Sequence, residues 1–408
     1  MDLIETKDFE KIRDQYLDIL ENHPDKEELK KKLIVGDDFI FKVNRTFSED
    51  EVSDLSQEDQ FYFPICTKKE IKRINNCKTA DDYLLKIRAE AIADNVRFER
   101  VFLARYEKNK ENWSLSSHFD TRPFSSYLKR LSKSHYRKCK DATAGFAFLK
   151  EATGKCIYSK YGNIILVSES LSQFLYYMNL AVLELGQTHP HDKFNALMIG
   201  IRIMLGSESL DFDLDPRGAL PKKLHNSLKY IVKMQLEFVI GHEFAHHILG
   251  HGSSNIARTC PISQIIQTRS NKSITYYNYR QKQEFQADWF SIKKAKYAPQ
   301  ERNELVNSVF LFFMHLDLFE SINEYLSPGT SSSTHPGSIS RIWRLRRKIH
   351  KDYGDPPDVL DETIQKHTEF KKFILKEIVP YHVDDIEKYG SMYLPSFKKE
   401  TLIDRIDY

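Results

Sequence analysis

The sequence is organised around one stretch, Gly241-His242-Glu243-Phe244-Ala245-His246, which lies within the longer run 230–250. In a helix, histidines four residues apart lie on one face, so both imidazoles can reach a single metal ion. Glu243 follows His242 directly and points to the neighbouring flank, where its carboxylate can hold a water without ligating the metal. The run predicts a largely buried helix, because it is rich in Ile, Leu, Val and Phe and is followed by Gly250 as a stop.

Two interpretations of the histidine pair stand at this point: the residues ligate a catalytic zinc ion, or they are hydrogen-bonded core residues. A catalytic zinc usually has three protein ligands and one position left for water, so a third ligand decides between them. A longer motif on the same helix would need Gly at position 249 and His at position 252, which hold Leu249 and Gly252. His247 and His251 are therefore predicted to lie at the surface or to support the ligands, and the third ligand must come from another segment.

A candidate third ligand lies downstream in Gln283-Glu284-Phe285-Gln286-Ala287-Asp288-Trp289-Phe290, which predicts a second helix. Glu284 and Asp288 are one turn apart on the same face, and the small Ala287 allows two helices to approach closely. Glu284 would complete a His2Glu zinc site with one zinc ion per chain, and Asp288 would accept a hydrogen bond from the far ring nitrogen of a ligand histidine. The alternative is an acidic helix face in solvent, which the aromatic content of this segment disfavours.

Three motifs in order resemble the signature of gluzincin metallopeptidases of the HtpX and CAAX-prenyl-protease type. They are His242-Glu243-x-x-His246, Glu284-x-x-Ala287-Asp288, and Thr334-His335-Pro336 followed by Arg341, Ile342 and Leu345. Soluble phage-exclusion peptidases of the Lit type share this signature. The likeness to them continues upstream through Asn163-Ile164-Ile165-Leu166-Val167-Ser168 and the aromatic run 171–185, so the resemblance covers about 163–348.

The resemblance implies a selective cytosolic protease that acts on a host protein during phage defence and is held inactive until a protein activator triggers it. His335 either donates a hydrogen bond to the oxyanion of the tetrahedral intermediate or merely starts the helix that carries Arg341. Arg341 in turn either pairs with Asp288 or faces water. The sequence leaves the oxyanion donor open, with Tyr276, Tyr277 and Tyr279 as candidates because they lie near in the chain.

Composition and charge indicate where the protein is located and which kinds of partner it is expected to bind. The net charge of +3 gives no general field for nucleic acid, and the five cysteines lack Cys-x-x-Cys spacing, which favours reduced thiols in the cytoplasm. The N-terminus has no basic start and apolar core of a signal peptide. The apolar runs 171–183 and 305–316 stop short of the roughly 18 residues that span a bilayer. We therefore expect a cytoplasmic protein without a membrane span, unlike the membrane-embedded HtpX and CAAX-protease families.

The predicted fold class is α+β and mainly helical, with a gluzincin-like core and a small sheet before the zinc helix. Helical periodicity is strong over 79–109, and short strands are predicted at Phe146–Leu149, Cys156–Tyr158 and Ile164–Val167. We expect an accessory, mostly helical region over 1–140, a peptidase domain over 141–350 and a helical C-terminal extension over 351–408. An edge strand of the sheet could bind an extended polypeptide by backbone pairing.

The acidic run 207–216 lacks the central glycine and the closing glutamate of a calcium loop, so it is interpreted as an ordinary acidic loop. The sequence therefore predicts a zinc-dependent endopeptidase that hydrolyses a protein substrate, with Glu243 as general base and His242, His246 and Glu284 as ligands. The alternative is a catalytically silent binding module that zinc stabilises on the same scaffold.

Overall fold

A computed structural model of the chain describes residues 6–22, 24, 26–27, 33–36, 40–42, 49–184, 189–251, 279–329, 336–353 and 357–395. The chain divides into two compact units, Met1–Phe63 and Pro64–Tyr408. In the first unit, helix α1 (Thr6–Asn22) precedes an antiparallel strand pair, β1 (Leu33–Val35) and β2 (Ile40–Lys42), and two short helices, α2 (Glu49–Val52) and α3 (Gln57–Gln60). The second unit carries all the predicted site residues that the structure describes.

The second unit begins with helices whose ends the sequence specifies locally. They are α4 (Lys68–Asn75), α5 (Ala80–Ala93), α6 (Val96–Lys108), α7 (Leu115–His118), α8 (Arg122–Arg130) and α9 (Lys133–Cys139). Reciprocal capping boxes open α4 at Thr67 and α5 at Thr79. The run 79–109 forms two helices because the Asn95 side chain accepts from two amides and starts α6 after a break.

The predicted sheet is present with three strands, β3 (Thr143–Ala147), β4 (Gly154–Ser159) and β5 (Gly162–Ser168). β5 lies in the centre, parallel to β3 and antiparallel to β4. Residues 164–167 of β5 are completely buried, because α5 packs on the sheet through Ala80 and Leu84 and a long later helix also contacts β4 and β5. The mainly helical α+β prediction is therefore confirmed.

The remaining helices build the core around that sheet. They are α10 (Glu169–Val182), α11 (Pro190–Leu205), α12 (Lys222–Leu249), α13 (Tyr279–Lys293), α14 (Pro299–Leu326), α15 (Ser338–Tyr353), α16 (Pro357–Phe373) and α17 (Val383–Glu387). A π-helical turn, Ile374–Ile378, and a 3₁₀ turn, Val379–Tyr381, follow α16. α12 carries the histidine pair and packs against α8, α9, α10, α13, α14, β4 and β5. It is therefore held from several sides.

Helix α14 is longer than its apolar run suggests. The helix continues through Asp317, whose buried carboxylate is compensated by His367 at 2.8 Å and Lys371 at 2.6 Å. By length and composition alone the helix could cross a membrane, with a mean hydropathy of 1.4 over an 18-residue window. However, 72% of that window is buried within the protein, as in the core helix of a folded domain.

The acidic run 207–216, interpreted from the sequence as an ordinary acidic loop, is largely buried. Glu208 is 2% exposed and accepts from Arg202 at 2.8 Å and from Arg217 at 3.0 Å. Arg217, which is 1% exposed, also pairs with Asp211 at 2.6 Å. The backbone of Leu394 bonds to the carbonyl of Arg217 at 2.7 Å. These charges are thus mutually compensated, and they fasten the C-terminal segment to the core.

Candidate metal centre

The predicted histidine pair and Glu284 meet at one point between α12 and α13. The Nε2 atoms of His242 and His246 are 3.0 Å apart. Glu284 Oε2 lies 3.3 Å from His242 Nε2, and its Oε1 lies 3.3 Å from His246 Nε2. One donor atom from each of the three residues therefore faces a common centre, as three ligands of one metal ion would.

The spacing of these donors fits a small tetrahedral cation. Ligand atoms bonded at about 2.0–2.1 Å in tetrahedral geometry lie roughly 3.3 Å from each other. The observed separations of 3.0 to 3.3 Å agree with that value. Two imidazoles and one carboxylate are also the donor set of a catalytic zinc site with one open position. These residues therefore fit a zinc ion in both geometry and chemistry.

Asp288 and Arg341 support the ligands from behind, and the structure pairs them rather than leaving Arg341 in water. Asp288 Oδ1 lies 3.0 Å from Nδ1 of His242. Arg341 Nε donates to Asp288 Oδ2 at 2.8 Å, and its Nη2 donates to Oδ1. Arg341 Nη2 also lies 3.7 Å from Glu284 Oε2. Both members of the pair are 1% exposed, so the contact fixes the orientation of His242 from inside the core.

Burial and charge oppose each other in the protonation of these groups. Burial by itself would lower the pKa of His242, but Asp288 and Glu284 raise that pKa to about 10. Burial would raise the pKa of Asp288, but Arg341 and His242 bring it below its ordinary value. The two carboxylates therefore offset the cost of burying the His242 ring, and Arg341 offsets the cost of burying Asp288.

Glu243 lies on the same buried helix, beside the ligands but outside the donor triangle. It is 5% exposed. Burial raises its pKa, and Glu284 adds to the rise, whereas the charges of His242 and His246 oppose it. A raised pKa makes a carboxylate a stronger proton acceptor. Glu243 is therefore a buried carboxyl with a raised pKa, on the same helix as the two histidines.

Gly241 admits an aromatic ring from α8 next to the ligands. A Cβ at position 241 would lie 2.6 Å from Cε2 of Tyr127, closer than two carbons can approach. The Tyr127 ring is fully buried, stacks on Phe244 with centroids 5.9 Å apart, and donates its hydroxyl to the Ser291 carbonyl at 3.4 Å. This ring thereby links α8 to both helices that carry the ligands.

The end of α12 is tied to the sheet and to α9. Tyr158 on β4 donates to the carbonyl of His246 at 3.1 Å. His247 Nδ1 lies 2.9 Å from the Asn163 amide nitrogen, and its Nε2 lies 2.8 Å from the Lys138 carbonyl. Two paired strands, β4 and β5, and the neighbouring helix α9 thus hold the ligand-bearing turn.

His251 lies directly beside the second ligand. Its Nδ1 is 3.0 Å from Nδ1 of His246, and its Nε2 is 3.2 Å from Oε1 of Gln286 on α13. Of the two predicted positions for His251, at the surface or in support of a ligand, the structure shows the second, because the left-handed Gly250 turns the chain back so that the His251 ring contacts His246.

Several predicted residues lie outside the part of the chain that can be described. His335 falls within 330–335, and Tyr276 and Tyr277 fall within 252–278. Tyr279 begins α13, but its side chain is not among the described ones. The oxyanion donor therefore stays a prediction.

The comparisons with known proteins agree with this geometry. Residues 222–349 match the model of peptidase family M48. This range is less than a third of the chain, but it contains the ligand triad, Glu243 and the Asp288–Arg341 pair. The chain has no match among curated proteins or solved structures. The family match supports a zinc metallopeptidase and zinc-dependent proteolysis.

Proposed function

We propose that the chain is a zinc-dependent endopeptidase that binds one zinc ion and hydrolyses peptide bonds within a protein substrate. The observation that carries the proposal is the donor triangle of His242, His246 and Glu284, with separations of 3.0 to 3.3 Å and Glu243 next to it. The match to peptidase family M48 supports the same reaction class.

Each residue of the site has a separate role in the proposed hydrolysis. When bound, zinc supplies a Lewis acid that lowers the pKa of water toward about 7. Glu243 takes the proton of the attacking water and returns it to the leaving amine. The Asp288 carboxylate lies 3.0 Å from Nδ1 of His242 and favours the tautomer with its proton on Nδ1, which leaves the lone pair of Nε2 for the metal. Arg341 holds Asp288 in place.

The substrate chain would bind along β4. This strand pairs with β5 on one side only and is an edge of the sheet. It contacts α12, and Tyr158 on β4 reaches the carbonyl of the ligand His246. An extended polypeptide can add to such an edge through backbone hydrogen bonds, which brings its peptide groups toward the ligands. That mode of binding favours an unfolded or loop segment of a protein.

The more specific features stay predictions from the resemblance. They are the oxyanion role of His335, the cytoplasmic location, the protein activator and the action on a host protein in phage defence. Among them, the role of His335 can be tested directly by substitution. This residue lies between α14 and α15 in the chain, six residues before Arg341.

Metal content and cleavage together test the proposal. We expect purified wild type to hold about one zinc per chain, and His246→Ala and Glu284→Ala to lose it, since three protein ligands are the norm for catalytic zinc. His225→Ala on the same helix is the matched control and should keep the metal. Elemental analysis gives the stoichiometry.

Cleavage separates the enzyme from the silent binding module. Glu243→Gln should retain zinc and lose proteolysis, because the amide cannot accept the proton. The wild type and Glu243→Gln are each incubated with a cytosolic extract, and newly formed protein N-termini are identified by mass spectrometry. Full activity of Glu243→Gln refutes the mechanism. Zinc in both proteins, with no cleavage product specific to the wild type, favours the binding module.

A further inference from the structure

A second cavity lies on the far side of α14 from the metal centre. Phe313 on α14 contacts the Arg341 guanidinium, whose Cζ lies 4.6 Å from the ring centroid. Met314 and Leu318 on the same helix face the cavity instead. The cavity has a volume of about 540 Å³ and lies between α10, α11, α14 and α16. It is therefore a site separate from the ligand triad.

The wall of the cavity is largely apolar. Six side chains that line it are Phe194, Leu197, Met314, Leu318, Phe370 and Phe373. Phe373 is 51% exposed at the opening, although aromatic rings of this size are usually covered. Pockets of this volume, with apolar walls and a few polar groups, are typical of small-molecule sites.

A π-helical turn forms one side of the opening. Ile374–Ile378 follows α16 in this conformation, and Ile374 and Ile378 both line the cavity. π-helical turns are rare and occur frequently at functional sites, because they widen the helix locally. The distortion thus lies where a ligand would enter.

His315, which lines the cavity and is 1% exposed, contributes no positive charge to it. Asn179 donates its amide to Gln235 Oε1 at 2.8 Å and accepts from Gln235 Nε2 at 3.3 Å. Asn179 Oδ1 is therefore an acceptor, and His315 Nε2, 2.9 Å from it, must be the donor. Both the neutral and the charged ring can carry this hydrogen, but burial lowers the pKa of His315 to about 3, so the ring is neutral.

Positive charge lies at the rim. Two lysines line the cavity, Lys193 and Lys366, and each is paired at 2.6 Å with a glutamate, Glu184 and Glu362 respectively. The Lys193 side chain is 19% exposed, whereas Glu184, its partner at 2.6 Å, is 88% exposed. Such a solvated carboxylate is a weak partner that a ligand can replace. The rim therefore suits a negatively charged head group, and the interior suits a hydrocarbon tail.

We propose that this cavity binds an amphiphile with a single acyl chain and a carboxylate head, the tail lying among Met314, Leu318 and Phe370 and the head at Lys193. The site is separate from the metal centre, because no residue of the ligand triad lines the cavity among the residues that the structure describes.

Isothermal titration of the full chain with octanoate, decanoate and dodecanoate, below their micelle concentrations, tests the tail. Each methylene that enters the cavity contributes roughly 0.8 kcal/mol, so affinity should rise about fourfold per added carbon. Leu311→Trp, which fills the cavity from α14, should reduce decanoate affinity at least tenfold. Phe373→Ser, at a half-exposed position that leaves the core intact, should weaken it several-fold.

The head group is tested by charge. Lys193→Met should weaken decanoate about tenfold or more, since a hydrogen bond to a charged group is lost, and should leave decanol unchanged. Lys372→Met, an exposed lysine of α16 that does not line the cavity, is the control. Absence of saturable decanoate binding, or binding that Phe373→Ser and a folded Leu311→Trp leave unaltered, overturns the proposal. Equal affinity for decanol and decanoate refutes the assignment of a carboxylate head.

Discussion

Replacing Arg341 by methionine is the most direct test of how the metal centre is supported. Arg341 and Asp288 are each 1% exposed and share two hydrogen bonds, and Glu284 lies 3.7 Å from the same guanidinium. Methionine fills a similar volume without charge. The substitution therefore leaves the Asp288 carboxylate buried without its principal cation.

The expected cost follows from that burial. Removing one partner of a buried ion pair typically costs about 3–5 kcal/mol. His242 Nδ1, 3.0 Å from Asp288, compensates part of the remaining charge, so we expect a value near the lower end, about 3 kcal/mol. Arg341→Met combined with Asp288→Asn should cost less than the sum of the two single changes, because the second change removes the uncompensated charge.

The assay is urea unfolding in the presence of a chelator, followed by tryptophan fluorescence. Trp289 lies on α13 and Trp343 on α15, so two of the three tryptophans report on the helices that the pair joins. Arg347→Met, at an exposed position of α15, is the control and should stay within about 0.5 kcal/mol of wild type. A loss below about 1 kcal/mol in Arg341→Met, or additive effects in the double variant, would refute the reasoning.

Three further expectations concern stability. Gly241→Ala should cost about 1–3 kcal/mol of stability, because the new methyl group clashes with Tyr127. In a Tyr127→Ala background the same change should stabilise by about 0.5–1 kcal/mol, as alanine usually does relative to glycine in a helix. Thermal unfolding of the four proteins checks this reversal of sign, and a cost that persists without the ring contradicts the prediction. Burial raises the pKa of Glu320 to about 8. The stability that this group contributes is therefore complete below its unfolded pKa near 4.5 and is lost as pH rises through about 8. Between pH 5 and 8.5, the free energy of urea unfolding should decline less for Glu320→Gln than for wild type, and parallel declines would exclude this carboxyl as the cause. Arg217→Met should cost about 3–5 kcal/mol in chemical denaturation because Glu208 loses a buried partner, and a near-neutral result would mean that the remaining partners suffice.

Local periodicity explains why part of the site could be predicted. Residues four apart on a helix must lie on one face, so His242 with His246, and Glu284 with Asp288, are fixed relative to each other by the helical repeat alone. Strand β5 could be predicted equally well, because its four consecutive apolar residues at 164–167 indicate burial on both faces of the sheet.

Contacts between distant segments could not be predicted in the same way. The position of Tyr127 against Gly241 depends on how α8 crosses α12, which the local pattern of neither helix specifies. The acidic run around Glu208 had the composition of a surface loop, and only the arrival of Arg202 and Arg217 from either side makes its burial tolerable.

The sequence by itself therefore determined which residues can act together within each helix, because backbone hydrogen bonding imposes that repeat wherever a helix forms. Only the tertiary structure decided that α12 and α13 approach to within 3.3 Å at their donor atoms, and that Arg341 turns inward to Asp288 rather than outward with its basic neighbours. Those choices depend on packing among α12, α13, α14 and α15, whose free energy is shared over many contacts and is not encoded in any single stretch.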